Sequence, residues 1–218
     1  MTERLYYKDQ YIKEFSANVL SCTENKGKFE VILDKTAFFP EGGGQTCDKG
    51  SFNGINVENI QIIDNRIWHF VKNSEENAEK FQIGTVLSGK IDKNKRFSDM
   101  QQHSGEHIFS GIVNSLYGYN NVGFHLGSEI VTLDFDGELG EDDICKVENL
   151  VNEAIWRNLE IKVTFPSKEE LAKIKYRSKI EIEGQVRLVE IPGVDVCACC
   201  APHVKFTGEI GIVRVVNF

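Results

Sequence analysis

The chain has 218 residues, 41% hydrophobic and 27% charged, an ordinary globular composition with room for one large domain or two small ones. Its formal net charge of −8 works against broad phosphate contact, because nucleic-acid binders usually present a basic face. No apolar run approaches the roughly 18 residues that span a bilayer, and residues 1–7 carry no apolar signal core, so a cytosolic protein with reduced thiols is expected.

Residues 1–92 read as short strands with Gly and Asn turns, the pattern of a small barrel. In residues 28–34, Phe29, Val31 and Leu33 alternate with the period of a half-buried strand. Residues 36–50 hold the three consecutive glycines Gly42, Gly43 and Gly44. Such a loop either forms a hairpin tip or lets a ligand approach the backbone closely. Residues 60–63 and 66–71 predict a hairpin around Asp64-Asn65, both of which tolerate positive φ, with His69 as a half-buried strand residue. A polar loop over 72–80 and a strand over 84–92 follow. Lys90, Lys93, Lys95 and Arg96 form the best local basic patch.

The second half, 93–218, mixes helices and strands and predicts an α+β layer structure. Ser98 or Asp99 can cap a helix whose apolar stripe is Ile108, Phe109, Ile112, Val113 and Leu116, with Gly118 as its stop. His103, His107 and Gly111 share another side of it. Residues 123–127 read as a loop, and Val131, Leu133 and Phe135 alternate as a strand. An amphipathic helix over 141–157 buries Ile144, Val147, Leu150, Val151, Ala154 and Ile155. Then come a strand at 160–165, a short helix from Ser167, and strands at 185–191 and 210–216.

The chemistry concentrates in two places. His103 and His107, four apart on a helix, stack on one face with the geometry of two ligands to one metal. About ninety residues later, Cys197, Cys199 and Cys200 crowd before His203. Adjacent thiols beside a histidine in a reducing compartment read as metal ligands rather than disulfides. His103, His107, Cys199 and His203 together make a four-donor N and S set of the kind zinc prefers. Spacing leaves Cys197 and Cys200 as competitors to Cys199. The segment 103–107 also fits H-x-x-E-H, a metalloprotease signature in which Glu106 would be the general base. A protease of that type has no need of the distant Cys-x3-His. A deaminase site is disfavoured, since H-x-E and P-C-x-x-C are absent.

Residues 36–45 (Thr-Ala-Phe-Phe-Pro-Glu-Gly-Gly-Gly-Gln), 100–107 (Met-Gln-Gln-His-Ser-Gly-Glu-His), 123–127 with 133–135, and 187–204 resemble, in order, motifs of the AlaX family, free-standing relatives of the editing domain of alanyl-tRNA synthetase. The family's Cys-Gly-Gly-Thr-His appears here as Cys199-Cys200-Ala201-Pro202-His203, with the middle three residues replaced. The resemblance implies the medium-length subtype: a small N-terminal β-barrel domain, 1–92, and a zinc-containing α+β editing domain of the threonyl/alanyl-tRNA synthetase type, 93–218. It implies an ATP-independent hydrolase that removes serine, and in some members glycine, from mischarged tRNA for alanine. Under it Thr36 contacts the serine hydroxyl, with Gln45 a second candidate. Glu106 orients water or a ligand. Gly42, Gly43, Gly44 and Arg96 lie toward the tRNA, and Zn2+ is held by His103, His107, Cys199 and His203. A zinc-stabilised tRNA-binding module without hydrolytic activity is the alternative.

Overall fold

A computed structural model describes residues 2–74, 78–127, 130–178 and 184–218. It is a mixed α/β structure whose chain divides into two compact units, Met1–Ser98 and Asp99–Phe218. Among the described residues, no helix is long and apolar enough to cross a membrane.

The first unit is sheet-rich. Two short strands, β1 (Glu3–Arg4) and β4 (Lys35–Thr36), pair in parallel. The others are β2 (Glu14–Asn25), β3 (Lys28–Leu33), β5 (Gly50–Phe52), β6 (Ile55–Ile63), β7 (Arg66–Lys72) and β8 (Val86–Ile91). They pair in the order β2-β3-β7-β6-β5-β8, and β8 returns to β2, so the ring is closed and leaves no open edge. Alternation sets the core: Phe15, Ala17 and Val19 of β2 and Phe29, Val31 and Leu33 of β3 are buried. The predicted hairpin forms between β6 and β7, with Asp64 at φ 50° and Asn65 at φ 60°, the left-handed pair a two-residue turn needs. In the predicted 72–80 loop, residues 75–77 lie outside the described residues, and Glu79–Phe81 forms a 3-10 turn.

His69 is not half-buried, as the strand pattern predicts, but fully enclosed. Its Nδ1 lies 3.1 Å from the carbonyl of Val31, its cross-strand partner, and its Nε2 lies 3.0 Å from Thr36 Oγ1. A carbonyl only accepts, so Nδ1 carries the proton and Nε2 accepts from the Thr36 hydroxyl. Burial opposes the charged ring and lowers its pKa to about 4, although the Val31 carbonyl pulls the other way. In the unfolded chain the pKa returns to about 6.5. The unfolded state therefore binds the extra proton between these values, and folding stability is full above pH 6.5 and lost as pH falls toward 4. That gap is worth about 3 kcal/mol. Denaturant melts from pH 7 to 4 should show His69→Gln lacking a loss of this size that the parent chain suffers.

The second unit contains most of α1 (Lys93–Tyr117) and all of α2 (Glu141–Trp156) and α3 (Lys168–Leu171). Helix α1 begins earlier than the predicted cap at Ser98 or Asp99. Asp92 Oδ1 accepts the backbone N–H groups of Asn94 and Lys95, which sets the start at Lys93. Gly118, at φ 75°, ends it as expected, its N–H returning to the Asn114 carbonyl. Most of the predicted 123–127 loop is strand: residues 123–126 belong to β9 (Asn121–Leu126), which pairs antiparallel with β10 (Val131–Phe135). A three-stranded sheet joins β11 (Lys162–Thr164), β12 (Leu188–Ile191) and β13 (Asp195–Ala198).

The predicted strand over 210–216 is absent. Thr207–Ile210 is a 3-10 turn, and the segment after it takes side-chain partners instead of a neighbouring strand. Asn152 of α2 bonds both the N–H and the carbonyl of Val213, and Glu148 accepts the N–H of Val215. The apolar alternation is real, but helix side chains satisfy the backbone that a sheet would otherwise pair.

Candidate metal centre and its surroundings

Helical spacing puts His103 and His107 on one face of α1, ring centroids 5.4 Å apart. The turn after β13 brings His203 to 4.9 Å from His103 and 4.5 Å from His107, centroid to centroid. Cys199 Sγ lies 3.5 Å from both His103 Nε2 and His203 Nε2. All four donor atoms fall within 4.8 Å of one another. A tetrahedral zinc with nitrogen ligands near 2.1 Å and sulfur near 2.3 Å separates its donors by roughly 3.3–3.7 Å, so the cluster fits such an ion. Of the cysteines, Cys199 groups with the three histidines, Cys200 is exposed, and Cys197 groups with Asp195 and His107.

The electrostatics suit a cation. Burial alone would raise the Cys199 pKa, but the His103 charge and hydrogen bonds from three imidazoles hold it well below the ordinary thiol value, toward the thiolate that ligates metals. Burial also pushes His203 down to about 3, aided by the nearby His107 charge, so its ring is neutral as a ligand must be. Burial would likewise lower His107, yet Asp195, Cys199 and Glu106 raise it well above its ordinary value in the absence of an ion.

Several supports, Ser104, Ser110, Asn121 and Arg187, have no role assigned from the sequence, while Glu106 has one. Ser104 Oγ lies 3.1 Å from His203 Nδ1 and accepts the Val204 N–H, which turns His203 Nε2 toward Cys199. Arg187 Nη1 donates to the carbonyls of Cys199 and Ala201 at 2.7 and 3.0 Å, holding the Cys-x3-His turn closed. Glu106 is 4% exposed. Its carboxylate accepts from Ser110 Oγ and Asn121 Nδ2, both at 2.8 Å, and its Oε2 sits 3.8 Å from His107 Nε2. Ser104 and Ser110 lie at helical spacing from the histidines, a faint sequence signal. Nothing local announces Asn121, and Arg187 stands in the 187–204 string without a role assigned to it.

The other predicted site residues lie in the first unit. Thr36 is 0% exposed, and its Oγ1 accepts the Phe38 N–H at 3.2 Å while giving its proton to His69. Gln45 is buried and closes a tight turn with Gly42, whose central Gly43 and Gly44 take φ of 61° and 80°; the turn by itself explains these two glycines. Arg96 is 3% exposed and does not stand in an open basic patch. Its guanidinium is bonded to both carboxylate oxygens of Asp48 and to the carbonyls of Ala37 and Gln10.

Two family descriptions match the chain. Class II (A) tRNA synthetases match residues 3–95, and the threonyl and alanyl tRNA synthetase second additional domain matches residues 186–217. The alanyl-tRNA editing protein AlaX-L of Pyrococcus horikoshii is 35% identical over 231 residues, covering 100% of this chain and 55% of that protein. The alanine–tRNA ligase of Methanobrevibacter smithii is 32% identical, covering 98% of this chain but 25% of the ligase. The chain thus spans about half, or a quarter, of these longer relatives. The AlaX-M protein of Saccharolobus solfataricus is nearer in length: 36% identical over 224 residues, with 97% of this chain and 90% of that protein covered. At that identity over nearly the whole of both chains, the protein belongs to the AlaX family of alanyl-tRNA editing proteins.

Proposed function

We propose that the protein is a cytoplasmic, ATP-independent trans-editing hydrolase acting on mischarged tRNA for alanine, chiefly the seryl and also the glycyl ester. The observation that carries this reading is the quartet of three buried histidines, His103, His107 and His203, and half-buried Cys199, in a chain alike over its length to alanyl-tRNA editing proteins. In it the closed strand ring is the barrel domain of the family's medium-length form, and the metal-bearing unit is its editing domain.

The chemical demand is plain. A synthetase pocket shaped for alanine cannot reject smaller glycine and excludes an added hydroxyl poorly, so a second sieve must recognise the hydroxyl itself. Thr36 is the proposed reader. Its proton is committed to His69, so Oγ1 offers a lone pair that accepts from a serine O–H, and an alanine methyl would leave it unmet. Gln45 is the second candidate in the same segment. Gly42, Gly43 and Gly44 let the acceptor end of the tRNA approach the backbone, and exposed Lys90 and Lys93 take the phosphate contacts that buried Arg96 cannot.

Zn2+, held by His103, His107, Cys199 and His203, would supply Lewis acidity and a fixed orientation for the aminoacyl group. Glu106, beside His107 and pinned by Ser110 and Asn121, orients the water that cleaves the ester between the acyl carbon and the ribose oxygen. The metalloprotease reading leaves Cys199 and His203 without a task.

The direct test is deacylation of Ser-, Gly- and Ala-tRNA, all on tRNA for alanine. Loss of serine with alanine spared is the expected outcome. Thr36→Val should shrink the serine-over-alanine preference by roughly 10-fold or more, as loss of one hydrogen bond to a buried group implies. An intact preference would retire Thr36. The replaced Cys200-Ala201-Pro202 segment favours one second reading, a zinc-stabilised tRNA-binding module, and a protein that binds all three tRNAs and deacylates none would establish it.

A further inference from the structure

Asp195, Arg177 and Gly111 have no part in the reading above, yet they converge on one metal-facing histidine. We propose that Asp195, clamped by Arg177 and admitted by Gly111, is a positioning residue that sets His107 as a metal ligand. The proposal rests on the metal quartet but not on the tRNA substrate.

Three contacts build it. Asp195 Oδ2 lies 3.3 Å from His107 Nδ1, an ion-pair distance without hydrogen-bond alignment, and both partners are nearly solvent-free. A carboxylate facing Nδ1 favours the proton there, which leaves Nε2, on the side of Glu106, to bind a metal. Arg177 then fixes the carboxylate: its Nε donates to Oδ1 at 2.7 Å and its Nη2 to Oδ2 at 2.9 Å, the bidentate fork that holds a carboxylate in one plane. The clamp is itself anchored, because the backbone of Arg177 bonds β13 on either side of Cys197, through Val196 O and Ala198 N.

Gly111 is what lets β13 come close enough. It sits one turn beyond His107 on α1, where an added Cβ would fall 2.6 Å from Asp195 Cβ and 2.8 Å from the Val194 carbonyl. Asp195 opens β13 and Val194 ends the turn before it, its N–H bonded to the Ile191 carbonyl, so neither can yield cheaply. The carboxylate therefore reaches the ring only because the helix is bare at that position.

His107, Asp195 and Cys197 could by distance form a metal site of their own. The Arg177 guanidinium already occupies both Asp195 oxygens, so a second dication there would meet a fixed positive charge. Asp195 orients; it does not ligate.

The experiment measures zinc affinity by competition with a chromogenic chelator, checks the fold by thermal melting, and reads ligand geometry from the visible bands of bound cobalt(II). A parent chain that takes up neither ion removes the metal quartet itself. Given parental binding, Asp195→Asn is expected to weaken zinc about 10- to 100-fold and to shift the cobalt bands. Arg177→Lys keeps the charge, loses the fork, and is expected to weaken zinc several-fold; it decides between the outcomes where Asp195→Asn does not fold. Folded variants with parental affinity overturn the proposal. So does weakened affinity with unchanged cobalt bands, because positioning through His107 must alter the geometry it sets.

Discussion

Cys199→Ala should leave the purified chain nearly free of zinc and slow seryl-ester hydrolysis on the order of 10³-fold. The magnitude follows from the several kcal/mol of charge stabilisation a metal ion gives a hydrolytic transition state. Cys199 is the residue through which the quartet coheres, since its sulfur stands 3.5 Å from His103 Nε2 and from His203 Nε2. Removing it takes the one thiolate out of the donor set and leaves three imidazoles. Metal analysis and single-turnover deacylation are the two readouts. Cys200→Ala, the exposed neighbour, should keep its zinc. If Cys199→Ala retains full zinc, Cys199 is not a required ligand; if it loses zinc and still hydrolyses at the parental rate, the metal does not serve the reaction. A chelator should reproduce the Cys199→Ala result in the parent chain.

Arg96→Met is expected to cost about 3–5 kcal/mol of stability, the usual loss when one partner of a buried ion pair is removed. The reason lies in what it leaves behind. Asp48 is 1% exposed, and its carboxylate also accepts the Phe39 N–H. Without Arg96 that charge is stranded in the interior, and the Ala37 and Gln10 carbonyls lose their donors. These bonds tie the start of α1 to both ends of the glycine-bearing segment, at Ala37 and at Asp48. Thermal melting should show a drop on the order of 10 °C, while Lys93→Ala on the exposed first turn stays close to the parent. The result also separates two roles for Arg96. A phosphate-binding arginine would lose tRNA affinity and keep its melting temperature; a structural one does the reverse.

Much of the fold could be read from local pattern. The Asp64-Asn65 hairpin, the alternating β3 and the amphipathic α2 follow from residue periods of 2 and 3.6 and from residues that accept positive φ. Local pattern misleads where a segment's partner is remote. The apolar alternation at 210–216 looks like a strand, but Asn152 and Glu148, some sixty residues earlier, take its backbone bonds. Residues 123–127 look like a loop because of two glycines, yet β10 supplies the pairing. Helix α1 starts at Lys93 because Asp92 caps it, in a stretch too polar to show helical periodicity.

The sequence by itself determined the donor types of the candidate metal centre: an i, i+4 histidine pair and a cluster of cysteines before a histidine, whose chemistry resides in residue type and short spacing. It also carried the family resemblance, since those motifs are local strings in a fixed order. Only the tertiary structure decided that Cys199 rather than Cys197 or Cys200 faces the histidines, that Arg96 is buried against Asp48, that the Thr36 hydroxyl donates to His69, and that Asp195 meets His107. Each depends on a contact between residues 33 to 96 positions apart. Burial, and the low dielectric that makes such pairs matter, are properties of packing, and no window of neighbouring residues contains them.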